Sequence, residues 1–202
     1  MLHEVEDFNE YFREYEESGE LPEETILGET FHVIPKSGWQ KIVEDLEEEE
    51  DIDTGINFET NTGAAHPNYF TDENSGFVTI SLDQESDERR YTGIHEETHI
   101  ATMQNNESID IYNTEAVAHA RDNYFRMKDG KDPDDRGFAP FTNRLITQWT
   151  ESYSTVADEI GDLEALELVR ESFKYEPSTF EKVKMPLSNP YIARFEDLAN
   201  QA

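Results

Sequence analysis

Apolar residues recur along this chain at two spacings, and the spacing predicts which element each stretch forms. Alternating, β-branched or continuous apolar runs predict three strands, at residues 29–34, 56–60 and 77–82. Apolar positions three and four apart predict amphipathic helices. These helices cover residues 3–18, 37–50, 86–104, 113–128 and 141–174, the last with a break at Gly161. Strands mixed with helices in this order indicate an α+β fold, with a small mixed sheet packed on helices.

Turn-forming residues divide this pattern into three parts. We expect an N-terminal helix and linker at 1–28, a core at 29–130, and a helical C-terminal extension packed on that core at 131–202. Within the core, residues 61–68 contain glycine and proline and are predicted to form a loop.

The charge balance restricts the salt concentrations at which this fold is expected to be stable. The net charge is −31, from 47 acidic and 16 basic residues spread along the whole chain. Such self-repulsion destabilises a compact fold unless salt screens it. With only seven lysines and 35% hydrophobic residues, the composition resembles that of halophilic proteins. A DNA mimic and a ligand for a basic partner are the competing interpretations. A nucleic-acid partner is not expected, because no basic patch is present to neutralise phosphates.

Cysteine usage and the N-terminus bear on metal ligands and on location. The chain has no cysteine, so a zinc site has to use histidine and carboxylate ligands. The first residues are acidic and lack the apolar core of a signal peptide, and no apolar run approaches the length of a membrane span. We therefore expect no membrane partner, and a location in the cytoplasm of a halophile or in a virus particle.

One motif carries specific chemistry. His95-Glu96-x-x-His99 is the zinc-binding pattern HExxH, here on a predicted helix that follows a predicted strand. Residues four apart share one helix face, so both imidazoles can reach one ion. Glu96 lies at the edge of that face, where it can act as general base on a water in the fourth zinc position. The alternative interpretation is an acidic surface helix with two solvated histidines.

Two histidines do not complete a catalytic zinc site, so a third protein ligand is needed. The metzincin spacing would place it at Asn105, which is not a suitable ligand. The next predicted helix offers Glu115, near its first turn. Further candidates are His119, Asp110 and Glu107.

With HExxH on one helix and Glu115-Ala116 on the next, the sequence resembles the gluzincin side of the zincin-like zinc metallopeptidases, and most closely small ImmA/IrrE-type members. The resemblance covers about half of the chain. It implies a zincin-like core, zinc as the metal, and His95, His99 and Glu115 as its ligands. Gluzincins often carry an aspartate four residues after the ligand glutamate, where this chain has His119, so His119 is a supporting group or an alternative ligand, as is Asp110.

Catalysis by such a site also needs a substrate site and a donor to the developing oxyanion. Tyr112 and Tyr153 are the candidate oxyanion donors, although a tyrosine on an apolar stripe is more often a core residue. The strand at 77–82 is the candidate to bind an extended substrate backbone by strand addition.

Two functions from different classes are consistent with these features. The first is a zinc metallopeptidase adapted to high salt, with a peptide or protein as substrate. The second is a structural or interaction protein, for example a component of a halophilic virus particle, on a zincin fold with a structural or vestigial metal site. In that case the C-terminal helices would contact neighbouring subunits of an assembly.

Overall fold

The structure, a computed structural model, describes residues 1–50, 62–70, 75–103, 111–134 and 140–175. Within these residues the fold is mixed α+β, which confirms the predicted class. The strands are β1 (Glu23–Ile26), β2 (Glu29–Pro35), β3 (Gly63–Phe70) and β4 (Ser75–Ile80). After a 3-10 turn at Leu2–Glu4, the helices are α1 (Phe8–Tyr11), α2 (Arg13–Ser18), α3 (Lys36–Glu50), α4 (Ser86–Met103), α5 (Ile111–Lys128), α6 (Pro140–Ile160) and α7 (Asp162–Tyr175).

Two compact units make up the chain, Met1–Ile100 and Ala101–Ala202, with the boundary inside α4. The first unit contains the sheet, α1 to α3 and most of α4, and the second contains α5 to α7. The sequence analysis placed domain boundaries after residues 28 and 130, and these boundaries stay a prediction. Among the described residues, every helix is too short or too polar to cross a lipid bilayer.

The sheet has the strand order β1-β2-β4-β3. The outer pairs, β1 with β2 and β3 with β4, are antiparallel, and the central pair, β2 with β4, is parallel. The register places Val33 opposite Val78 and Gly63 opposite Ile80. β4 is thus paired along both of its edges, and each of its residues is buried.

Helices cover both faces of β4. On one face, Phe77 contacts Trp39 of α3, with ring centroids 4.8 Å apart. On the other, Ile80 packs against α4, where a Cβ added to Gly93 would lie 3.3 Å from its Cδ1. Phe77 and Ile80 are an odd number of residues apart, so their side chains point to opposite faces. Burial on both faces explains the uninterrupted apolar run that predicted this strand.

The N-terminal segment differs from the single helix predicted for residues 3–18. It forms a 3-10 turn and two short helices. The helical hydrogen bonding is interrupted at Phe12, which separates α1 from α2, and α2 ends at Gly19, where φ is 75°. The segment packs on α4: the backbone N–H of Leu2 donates to the Glu97 carboxylate at 2.8 Å. Its aromatic side chains Phe8 and Phe12 are buried.

Two of the described strands, β1 and β3, were not predicted from the sequence. β1 falls in the predicted linker and pairs with β2 through a two-residue turn at Leu27-Gly28, where both φ values are positive. β3 falls in the predicted loop at 61–68, and the prediction of a loop there is wrong. The predicted strand at 56–60 lies outside the described residues, so nothing in the structure tests it.

In the second unit the helices match the predicted ones closely. Gly161, at φ 100°, separates α6 from α7 at the predicted break. Tyr153 and Val156 of α6 and Leu166 of α7 are fully buried. Arg121 of α5 is fully buried as well, and its guanidinium forms a two-point ion pair with Asp162 at 2.8 Å and 3.0 Å.

Candidate metal centre

The HExxH motif lies in the second half of α4. Every residue from 91 to 102 is buried, and His95 and His99 are each 6% exposed. The alternative of a surface helix with solvated histidines is therefore wrong. A helix buried on all sides has its surroundings set by tertiary contacts, so its polar residues face protein groups rather than bulk water.

The two imidazoles face each other. Nε2 of His95 and Nε2 of His99 are 3.1 Å apart, with the rings inclined at 74°. Two nitrogens bound to one tetrahedral zinc at 2.0–2.1 Å would be separated by about 3.3–3.4 Å. The observed separation therefore suits two ligands of one ion. It also suits a hydrogen bond from a neutral imidazole to its neighbour.

Glu96 is a residue of α4, and its buried side chain packs against the sheet. A Cβ added to Gly63 of β3 would lie 3.0 Å from Cγ and Oε1 of Glu96, so the carboxylate lies directly against the backbone of this strand. The strand has to carry glycine there for the two to come so close. The carboxylate is thus held at one edge of the sheet rather than free in solvent.

On α5, four ionisable residues share one helix face at spacings of four, three and four, namely Glu115, His119, Asp122 and Arg126. Nε2 of His119 lies 3.8 Å from the Glu115 carboxylate, and its Nδ1 lies 3.4 Å from the Asp122 carboxylate. His119 and Asp122 are buried, while Glu115 is partly exposed. An imidazole that gives one N–H to a carboxylate keeps its other nitrogen available as a metal ligand.

Two groups of side chains could supply ligands to a metal ion. One consists of His95 and His99 on α4, and the other of Glu115, His119 and Asp122 on α5. The donor set is nitrogen and oxygen only, which suits zinc and several other divalent metals, so the geometry by itself does not identify the metal.

The other predicted site residues have different surroundings. The Tyr153 hydroxyl donates to Asp162, at 2.7 Å from Oδ1 and 3.1 Å from the carbonyl oxygen. Burial raises the pKa of Tyr153 well above its usual value, and the Asp162 carboxylate raises it further. These contacts give Tyr153 a structural role, and no described contact supports the oxyanion role. The side chain of Tyr112 and the whole of Asp110 and Glu107 lie outside the described part of the chain.

The expectation that the strand at 77–82 binds substrate by strand addition is wrong. That strand is β4, which already has a partner on each side. Among the described residues, the edge strand beside Glu96 is β3. The sequence analysis missed β3 because glycine and proline were taken as signs of a loop. Both are also common in edge strands, where a proline removes no ladder hydrogen bond.

Comparison with known proteins adds no assignment: no family model, no curated protein and no solved structure matches this chain.

Proposed function

We propose that this protein is a zinc metallopeptidase with a gluzincin-type ligand set, acting on peptides or proteins in high salt. The observation that carries the proposal is the buried pair of Nε2 atoms on His95 and His99, 3.1 Å apart. In this proposal these two side chains and Glu115 bind zinc and leave one position open.

Glu96 is the general base of the proposed reaction. Zinc, when bound, would lower the pKa of water and polarise the substrate carbonyl. Glu96 takes a proton as the water oxygen bonds to the carbonyl carbon. It gives that proton to the amine nitrogen as the C–N bond breaks, so the products are a carboxylate and an amine. Burial against β3 keeps the carboxylate in one place for both transfers.

In the part of the sheet that the structure describes, β3 is an edge strand, and such an edge suits an extended substrate. An edge strand presents backbone N–H and C=O groups that a peptide can pair with. At this edge the side chains of residues 63–65 are Gly, Ala and Ala, which leave room for a second strand. The opposite edge strand, β1, carries Glu23 and Glu24, and charged side chains on a short edge oppose pairing. The proposal therefore places the substrate along β3.

Replacing Glu96 with glutamine tests the assignment. The amide has the same shape but cannot accept the proton, so zinc should stay bound while hydrolysis falls at least about 10²-fold. Zinc content by atomic emission and cleavage of a broad peptide library in 2 M KCl are the measurements. The matched control replaces Glu85, an exposed glutamate immediately before α4, and the Glu85→Gln variant should cleave normally. A Glu96→Gln variant as active as the wild type would refute the role of Glu96.

One observation favours the second function, a structural metal site in an assembly. His119 lies 3.8 Å from Glu115 and is oriented by Asp122, so it has the properties of a fourth protein ligand. Zinc with four protein ligands has no position for water and serves stability alone. In that case chelation would lower the melting temperature, and the wild-type protein with a full complement of zinc would cleave nothing in the library.

A further inference from the structure

The contact between β3 and α4 is closest at Gly63. A Cβ added there would meet Cγ2 of Thr92 at 2.5 Å, and Cγ and Oε1 of Glu96 at 3.0 Å each. The first distance is shorter than a carbon–carbon contact allows. Any side chain at position 63 would therefore move β3, Thr92 or the Glu96 carboxylate.

A chain of hydrogen bonds holds the two elements at this spacing. The Thr92 hydroxyl donates to Oε1 of Gln84 at 3.1 Å. Nε2 of Gln84 donates to the carbonyl oxygens of Thr62, at 3.0 Å, and of Ser81, at 3.4 Å. The Ser81 N–H also donates to the Thr62 carbonyl at 2.9 Å. Thr62 immediately precedes Gly63, and Thr92 lies one helical turn before Glu96, so Gln84 links the start of the strand to the helix beside the base.

We propose that Gly63, Gln84 and Thr92 are positioning residues that set the distance between the substrate-binding edge of β3 and the Glu96 carboxylate. The proposal rests on the proposed function. A peptide paired with β3 takes its position from the backbone of that strand. Glu96 takes its position from the same strand, because its carboxylate rests on Gly63. One contact therefore places both reacting groups, and misplacement by about 1 Å is enough to cost about 10²-fold in rate.

The decisive experiment uses Gly63→Ala alone and combined with Thr92→Ser. Serine keeps the hydroxyl that donates to Gln84 but lacks the Cγ2 that the new methyl would meet. Gly63→Ala should lower both the melting temperature and kcat. The double variant should regain the melting temperature but not kcat, because the methyl still displaces the Glu96 carboxylate. Gly38→Ala is the matched control: its methyl would meet Pro35 at 3.3 Å and Tyr15 at 3.4 Å, away from Glu96, so only stability should change.

A readout independent of activity is the crystal structure of the double variant, in which the Glu96 carboxylate should move away from β3 by about 0.5 Å or more. Gln84→Met, which removes the hydrogen bonds and adds no methyl to β3, should likewise lower kcat more than zinc affinity. Recovery of kcat together with the melting temperature in the double variant, or an unmoved Glu96 carboxylate, would overturn the proposal. If the wild-type protein cleaves no peptide, the proposed function fails, while the position of the carboxylate still decides whether Gly63 sets it.

Discussion

At the scale of single residues, the histidines show how surroundings decide chemistry. His95 and His99 face each other through Nε2 atoms, which suits a shared ion. His119 lies between two carboxylates of its own helix. His66 instead stacks on Phe77, with ring centroids 4.3 Å apart and planes inclined at 20°. Position 66 faces α3, away from Glu96, so this histidine belongs to the core of the first unit rather than to the metal centre.

His66 should titrate below the ordinary histidine range. Its burial lowers the pKa below the usual histidine value of 6.5, because the charged ring loses hydration. Between that lowered pKa and about 6.5 the unfolded chain binds more protons than the folded one, so stability is lost as the pH falls through this window. NMR titration of the His66 ring in 2 M KCl measures the pKa directly. His66→Phe keeps an aromatic ring against Phe77 and should lose less stability between pH 7.5 and 5.5 than the wild type does. A measured pKa at or above 6.5 would contradict this expectation.

At the scale of elements, a polar network centred on Asp162 joins α5, α6 and α7. Arg121 of α5 and Tyr153 of α6 both bind Asp162, the first residue of α7. The Arg121 side chain has no exposure, and the Asp162 carboxylate lies 2.8 Å from its guanidinium and compensates its charge. An acidic residue in the first turn of a helix also interacts favourably with the helix dipole. The network fixes where α7 begins after the break at Gly161.

Removing the negative charge of Asp162 should destabilise the second unit strongly. Asp162→Asn removes the carboxylate that forms an ion pair with the buried Arg121 guanidinium, and breaking such a pair costs about 3–5 kcal/mol. Urea unfolding in 2 M KCl measures this loss. The double variant Arg121→Met, Asp162→Leu removes both charges and should lose less stability than the single variant. Equal losses in the two variants would show that packing, rather than the buried charge, explains the effect.

At the scale of the whole molecule, charge is the dominant property. With a net charge of −31, most acidic side chains have no basic partner available anywhere in the chain. Exposed acids lie along α3, among them Glu44, Asp45, Glu48 and Glu49. Their mutual repulsion acts on the folded state more than on the expanded chain, because folding brings the charges together.

The melting temperature should therefore rise steeply with salt. The Debye length falls from about 10 Å at 0.1 M to about 3 Å at 1 M, so molar KCl screens all but the nearest charges. Circular dichroism melts at 0.1 M and 2 M KCl test this, with 2 M sorbitol as a control for effects that do not depend on ionic strength. A melting temperature that stays constant with KCl, or that rises equally in sorbitol, would refute adaptation to high salt.

Local spacing was sufficient to predict the helices that carry the chemistry. The bounds of α3, α4 and α5 agree with the predicted ones within about two residues, and the break at Gly161 is confirmed. The shared face of His95 and His99 follows from their spacing of four, since a helix is stabilised by contacts between near neighbours in sequence.

Contacts between distant residues decided the rest. β1 and β3 are strands because partners exist beside them, and neither has an apolar pattern strong enough to predict a strand alone. Which strand lies at the edge depends on the order of the strands in the sheet, and local spacing does not contain that order. The sequence analysis therefore placed the substrate on β4, which lies inside the sheet. The approach of Gly63 to Glu96 joins residues 33 positions apart. The sequence by itself determined the candidate base and two candidate ligands. Only the tertiary structure decided what lies against them, because packing brings together residues that no local spacing relates.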